Sequence, residues 1–206
     1  MSFQLIKIFP ENIGIYKLTY NKKEEEFLKK FTFAETIDSK DKLIAKEAYI
    51  SKDLYVLNKN NILKNKLLNC VNKFIKDTLG FSFKVKITTS WLTKTLPNGF
   101  SQEHNHTLSF YSGVYYPFKT NNFYKINFLK KDYDFFQAEN YVKNFNNINN
   151  NAEFSLPYGT LLIFNSKLKH KVSKNDTDET RYSLAFNTMP MGFLGSKNSD
   201  SQYDFK

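Results

Sequence analysis

Apolar and polar positions along the chain change period once, near Gly80. Before it the spacing is helical. Residues 22–36 open with Glu24, Glu25 and Glu26, follow them with lysines three to five positions on, and keep an apolar side at Phe27, Phe31 and Ala34, which predicts a short helix. From about Asp53 to Thr78, Ile62, Leu63, Leu67, Val71, Phe74 and Ile75 recur at steps of three and four, a longer helix that Gly80 can close in a left-handed cap. Beyond Gly80 the period becomes two: Phe81, Phe83, Val85 and Ile87 alternate with polar neighbours, as in a half-buried strand. Aromatic and β-branched runs follow at 108–118, 123–130, 152–159, 160–166 and 180–188, separated by polar turns.

Several short strands without intervening helices predict a sandwich or barrel, so the fold class is mainly β with supporting α-helices. The Asn-rich stretch 140–151 reads as a long loop, and the tail from Met189 has no period. No repeat or linker divides the chain, which predicts one domain over 1–206: a helical support region with a short N-terminal strand (1–80), a β core (81–188) and a tail (189–206).

Composition narrows the setting. With 206 residues and 41% hydrophobic content the chain can bury a core, and no apolar run approaches the ~18 residues of a membrane span. The first residues have neither a basic region nor a small-residue cleavage site, and the single cysteine, Cys70, can form no internal disulfide. A reducing cytoplasm is expected, without membrane attachment. A net charge of +10 permits nucleic acid as a partner but does not favour it: 29 of the 30 basic residues are dispersed lysines, and 24 residues are asparagine, a bias that AT-rich coding also produces.

Against that background the rare residues carry weight. All three histidines fall in the β-rich half: His104 and His106 flank Asn105, and His170 stands ahead of a strand. Side chains at i and i+2 of a strand share a face, so His104 and His106 can converge on one ion, and imidazole is the commonest metal ligand. The only arginine, Arg181, lies eleven residues after His170 and shares strand parity with Ser183. A planar fork and a hydroxyl on one face suit a carboxylate, which explains an Arg in a chain that otherwise uses Lys.

These residues form a pattern: Trp91, Gly99, the His104/His106 pair, Ser112 to Tyr116, Pro157 to Phe164, His170 to Val172 and Thr180 to Ser183. The pattern resembles the Fe(II)/2-oxoglutarate-dependent dioxygenases over about residues 87–188, and within them the prolyl-hydroxylase-like group and oxygenases common in bacteria and their phages. The resemblance implies a double-stranded β-helix, a jelly-roll or cupin-like barrel with the metal at its open mouth, as the core over 81–188. It implies that His104, His106 and His170 form the catalytic metal site. Arg181 would hold the distal carboxylate of 2-oxoglutarate, and Tyr116 and Ser183 match residues that donate to that carboxylate in relatives.

Fe(II), 2-oxoglutarate and O2 are the implied cofactors. The implied reaction is hydroxylation of a C–H bond in a peptide, peptidyl proline included, or a small molecule, with release of succinate and CO2. The cytoplasm would be that of a host if the chain is phage-encoded. Trp91, Phe110 and Phe164 are candidates for the pocket wall. One departure is that His106 occupies the position of the usual Asp or Glu; Glu103, on the opposite strand face, is not placed to replace it. If His106 swung away, a site for halide would open, although hydroxylation is the expected outcome. Two alternatives stand beside this reading: a cupin-type three-His dioxygenase that uses no 2-oxoglutarate, and a noncatalytic β-sandwich binding or virion module.

Overall fold

The computed structural model describes residues 11–34, 45–129, 151–196 and 200–205. In chain order the elements are β1 (Gly14–Lys17), α1 (Lys22–Leu28), β2 (Ala45–Ile50), a 3₁₀ turn (Val56–Lys59), α2 (Asn61–Leu79), β3 (Val85–His104), β4 (Tyr111–Tyr115), β5 (Tyr124–Leu129), β6 (Asn151–Leu156), β7 (Thr160–Asn165), β8 (Lys169–Val172), β9 (Arg181–Pro190), β10 (Gly192–Leu194) and β11 (Tyr203–Phe205). The expected loop over 140–151 lies outside the described residues, apart from Asn151, which opens β6.

Both helices start on an asparagine. Asn21 accepts from the Lys23 N–H at 2.9 Å, and Asn60 accepts from the Leu63 N–H at 3.0 Å. The first helix ends at Leu28 rather than near 36, because the chain beyond it is drawn to β2: Phe33 bridges Ser51, and the Ala34 N–H donates to the Ile50 carbonyl at 2.9 Å. The second begins at Asn61 rather than near Asp53, whose carboxylate instead accepts from the Tyr55 N–H and organises a turn. α2 buries Leu63, Leu67, Val71, Phe74 and Ile75, each worth about 1.5–3 kcal/mol of apolar transfer. Ile62, expected on that stripe, is exposed. Gly80 takes φ 73, and the Gly80 and Phe81 N–H groups close on the Lys76 and Ile75 carbonyls.

Nine strands form one curled antiparallel sheet with the path β1-β7-β4-β9-β3-β8-β5-β6, and β2 adds to β3. The curl comes from β3, whose twenty residues, besides pairing with β2, divide between two neighbours on the main path: Val85 to Thr95 pair with β9, and Ser101 and His104 pair with β8. Between them the strand bends at Asn98 (φ 66) and Gly99, where an added Cβ would stand 2.5 Å from the Glu47 carbonyl oxygen. This curled, mostly β architecture is the double-stranded β-helix expected from the sequence.

Alternation sorts the side chains into two cores. Leu92, Tyr115, Leu161, Ile163, Leu184 and Phe186 face outward onto α2 and α1. Their neighbours Tyr116, Tyr124, Ile126, Phe128, Leu156, Leu162 and Phe164 fill the interior of the curl. Tyr115 belongs to the outer core, where its hydroxyl donates to the buried Glu24 carboxylate at 3.2 Å; Lys66 of α2 pairs with that carboxylate at 2.9 Å.

Three strand expectations are corrected. Phe81 and Phe83 precede the strand and pack on each other and on Phe110, since pairing with β9 begins only at Val85. The sequence pattern shows no β2. The tail from Met189 is not aperiodic: β9 runs to Pro190, and β10 and β11 pair as a hairpin. Among the described residues no helix is long and apolar enough to cross a membrane.

Candidate metal centre and carboxylate anchor

His104 is the last residue of β3 and lies directly opposite His170 of β8. Cross-strand neighbours bring their Cβ atoms within ~5 Å, and here the ring centroids are 4.4 Å apart. His106 is not on the strand, as its spacing had implied, but in the loop that follows. Its backbone N–H donates to the Ser166 carbonyl at 2.9 Å, which turns the ring back to 5.4 Å from His104 and 5.1 Å from His170. The three residues offer ligand atoms within 4.8 Å of one another.

The carbonyls around the cluster set its tautomers. His104 Nδ1 lies 2.8 Å from the Gln102 carbonyl and His170 Nδ1 lies 3.0 Å from the Leu168 carbonyl. A carbonyl only accepts, so each Nδ1 carries the proton and each Nε2 presents a lone pair. Phe164 packs edge-on against His170 at 4.8 Å, and Trp91 lies 5.6 Å from His106. Burial, reinforced by His104, pushes His106 down to about 4. Burial, with His104 as the next cause and the Leu168 carbonyl opposing, pushes His170 down to about 3. Both are therefore neutral ligands near pH 7. Glu103 points away and pairs with Lys169 at 2.6 Å, as strand alternation requires.

The second half of the site is a half-buried cation with no counter-ion among the described residues. Arg181 opens β9 opposite Thr95, and its Nη2 donates to the Ser173 carbonyl at 2.9 Å. No carboxylate among the described residues lies within ion-pairing distance of it; Asp176 is held instead by Lys125 at 3.0 Å. Burial pushes the Arg181 pKa down, with Tyr116, Tyr124 and Asp176 opposing, as for a guanidinium held partly out of water. Ser183 stands two residues along the same face, opposite Thr93. Tyr116 stacks on Tyr124 at 4.2 Å and 18°, and burial raises both phenols while Arg181 opposes the shift. Neither hydroxyl has a hydrogen-bond partner among the described residues.

All six residues singled out from the sequence, His104, His106, His170, Arg181, Ser183 and Tyr116, line one cleft enclosing about 590 Å³, part of it open to solvent. Trp91 lines it too. Phe164 backs it behind His170, whereas Phe110 packs in the outer core with Phe81 and Phe83. Lys125 borders the cleft, but strand parity turns its side chain to the outer face, so among the described residues Arg181 is the cation aimed inward, and none of them brings a carboxylate to the lining. Sequence reasoning did not single out Tyr124. Its parity with Ile126 and Phe128 made it an inward position, yet nothing local indicated that Arg181 lies across from it.

This donor set fits a divalent transition metal. Three imidazoles with ligand atoms within 4.8 Å of one another, two of them presenting Nε2, suit iron. The carboxylate-free guanidinium and three unpaired hydroxyls fit one end of a dicarboxylate.

Residues 89–187 match the family described as "Putative 2OG-Fe(II) oxygenase". No curated protein matches the chain. Among solved structures, a 2OG-Fe(II) oxygenase family oxidoreductase from Burkholderia pseudomallei is 12% identical, with TM-score 0.55 over 81% of this chain and 75% of that one. HygX from Streptomyces hygroscopicus, solved with nickel and 2-oxoglutarate bound, is 7% identical, with TM-score 0.58 over 87% of this chain and 83% of its own. The epimerase SnoN from nogalamycin biosynthesis is 7% identical, with TM-score 0.60 over 87% and 76%. At these identities the structures speak for the fold, and the family match decides against the cupin and noncatalytic alternatives.

Proposed function

From the match of residues 89–187 to the 2OG-Fe(II) oxygenase family, we propose that this chain hydroxylates a C–H bond in a small molecule or a peptidyl side chain such as proline, releasing succinate and CO2. The single observation that carries the assignment of roles is the convergence, in one cleft, of three histidines and a half-buried arginine that has no counter-ion among the described residues. Iron with 2-oxoglutarate supplies, when bound, the oxidation of an unactivated C–H bond by O2.

The chain's own residues do the rest. His104 and His170 present Nε2 in orientations locked by the Gln102 and Leu168 carbonyls, and His106 completes the ligand set in place of a carboxylate. Arg181 anchors the distal carboxylate of the cosubstrate, with Ser183 and Tyr116 donating hydroxyls to the same group. Trp91, Val114, Ile126, Val172 and Ala185 form the apolar walls that limit water.

The substrate class is read from the same cleft. SnoN has been solved with Fe3+, alpha ketoglutarate and nogalamycin RO, and a cleft that opens to solvent beside the imidazoles suits a small molecule or one side chain of a peptide. Lysines held by Glu24, Asp176 and Glu103 do not argue for nucleic acid. A reducing cytoplasm suits Cys70, whose thiol burial keeps protonated.

The test is an anaerobic titration with Fe(II) and then 2-oxoglutarate, followed by succinate release against prolyl peptides and a small-molecule panel. A visible charge-transfer band on the second addition is expected. Iron binding with no such band would overturn the assignment of Arg181, Ser183 and Tyr116.

A further inference from the structure

Beneath the loop that carries His106 lies a row of four hydrogen-bonded polar side chains. Thr89 of β3, Asn187 of β9 and Ser112 of β4 occupy one rung, in register as Thr89↔Asn187 and Asn187↔Ser112, and Ser166 follows the end of β7. All four share inward parity with Trp91, Ala185, Val114 and Phe164 of the next rung. Ser112 is 2% exposed and Ser166 is fully buried.

Hydrogen-bond counting gives the row a direction. Ser112 Oγ donates to Asn187 Oδ1 at 2.8 Å, which spends its only hydrogen. Ser166 Oγ, 2.8 Å from Ser112 Oγ, is therefore the donor in that contact. Asn187 Nδ2 passes the chain on to Thr89 Oγ1 at 3.3 Å. Ser166 is thus fixed by its side chain from below, while its backbone holds the loop above at both ends: its carbonyl accepts from the His106 N–H at 2.9 Å, and its N–H donates to the Phe110 carbonyl at 3.2 Å.

We propose that Ser112, Ser166 and Asn187 are positioning residues for the metal centre, holding the loop so that the His106 imidazole reaches the ion held by His104 and His170. The proposal rests on the reading of His106 as a metal ligand. His104 and His170 sit in paired strands and need no such support, whereas His106 lies beyond the strand end and depends on one carbonyl. A buried polar row is costly unless every member is satisfied, so its continuity from β3 to the His106 loop is a functional constraint on four strands.

Cobalt(II) binding to the metal-free protein, followed by its visible absorption without 2-oxoglutarate, tests this. Ser112→Ala is expected to raise the Co(II) dissociation constant about tenfold and to shift the band, the usual cost of losing an outer hydrogen bond to a ligand system. Ser90→Ala is the control, because it removes an equally buried hydroxyl on the helix side, 2.9 Å from the Leu57 N–H; it should lower stability and leave Co(II) affinity alone. In a His106→Ala background, Ser112→Ala should have no further effect on affinity. Asn187→Ala, which removes the acceptor of Ser112 together with the donor to Thr89, serves if the first variant does not fold. Wild-type affinity in both Ser112→Ala and Asn187→Ala, or an undiminished effect without His106, overturns the proposal. Wild-type affinity in His106→Ala alone overturns instead the ligand assignment beneath it.

Discussion

The Trp91 indole and the His106 imidazole lie with ring centroids 5.6 Å apart and planes inclined at 56°. Trp91 is the only tryptophan in the chain, so its emission reports on the metal centre and on nothing else. Titration with Co(II) or Ni(II) should quench it strongly with a stoichiometry of one ion. His104→Ala and His170→Ala should remove the effect, and ion binding seen by calorimetry without quenching would place the ion elsewhere.

Arg181→Lys should weaken 2-oxoglutarate binding by about tenfold or more, because an ammonium keeps the charge but loses the planar fork. The far-ultraviolet dichroism should not change, since the present guanidinium makes one backbone contact, to Ser173. Calorimetry on the Ni(II)-loaded protein checks this, and an unchanged dissociation constant would remove Arg181 from the anchor.

Three neutral imidazoles leave a bound divalent ion at its full charge, so ion and cosubstrate should reinforce each other's binding. Fe(II) is expected to bind more weakly without 2-oxoglutarate than with it. His106→Asp should tighten binding of the lone ion and shrink the ratio. Anaerobic titrations with and without 2-oxoglutarate measure both, and a ratio of one in the wild type would contradict the expectation.

Acid should destabilise the metal-free protein early. His106 and His170 titrate at about 4 and about 3 in the fold, but near ~6.5 in an unfolded chain. As pH falls through that window the unfolded state takes up protons first, so stability present above ~6.5 is lost progressively toward the folded values. The urea midpoint of the metal-free protein should drop between pH 7 and pH 5, and His170→Gln should flatten that drop. Equal slopes in the two proteins would refute the role of His170.

How far the sequence could be read depended on whether the deciding contact was local. Gly80 announced the end of α2, since a left-handed cap needs only its own turn. The parity of Arg181 with Ser183 also survived folding, because both lie inside β9. The pairing of His104 with His106 was read from strand alternation, yet β3 stops at His104 and the convergence comes from the Ser166 carbonyl, sixty residues farther on. Phe81 and Phe83 had the alternation of a strand and no partner strand to pair with. β2 has a weak pattern and exists because β3, some fifty residues farther on, supplies its hydrogen bonds, whereas the short β10–β11 hairpin is local but too brief to show a period. Tyr124 was hidden for the same reason, since only the curl sets it against Arg181.

That curl gives β3 a metrological role. One leg of the strand presents Thr95 to Arg181 and the other presents His104 to His170, with the turn at Asn98 and Gly99 between them. The gap between the imidazoles and the guanidinium is thus a length written into one continuous backbone, clamped where Gly99 abuts the Glu47 carbonyl. With the proposed roles of the three histidines and Arg181, it would act as a calliper: a dicarboxylate one methylene too short or too long is expected to seat at either jaw, but not at both.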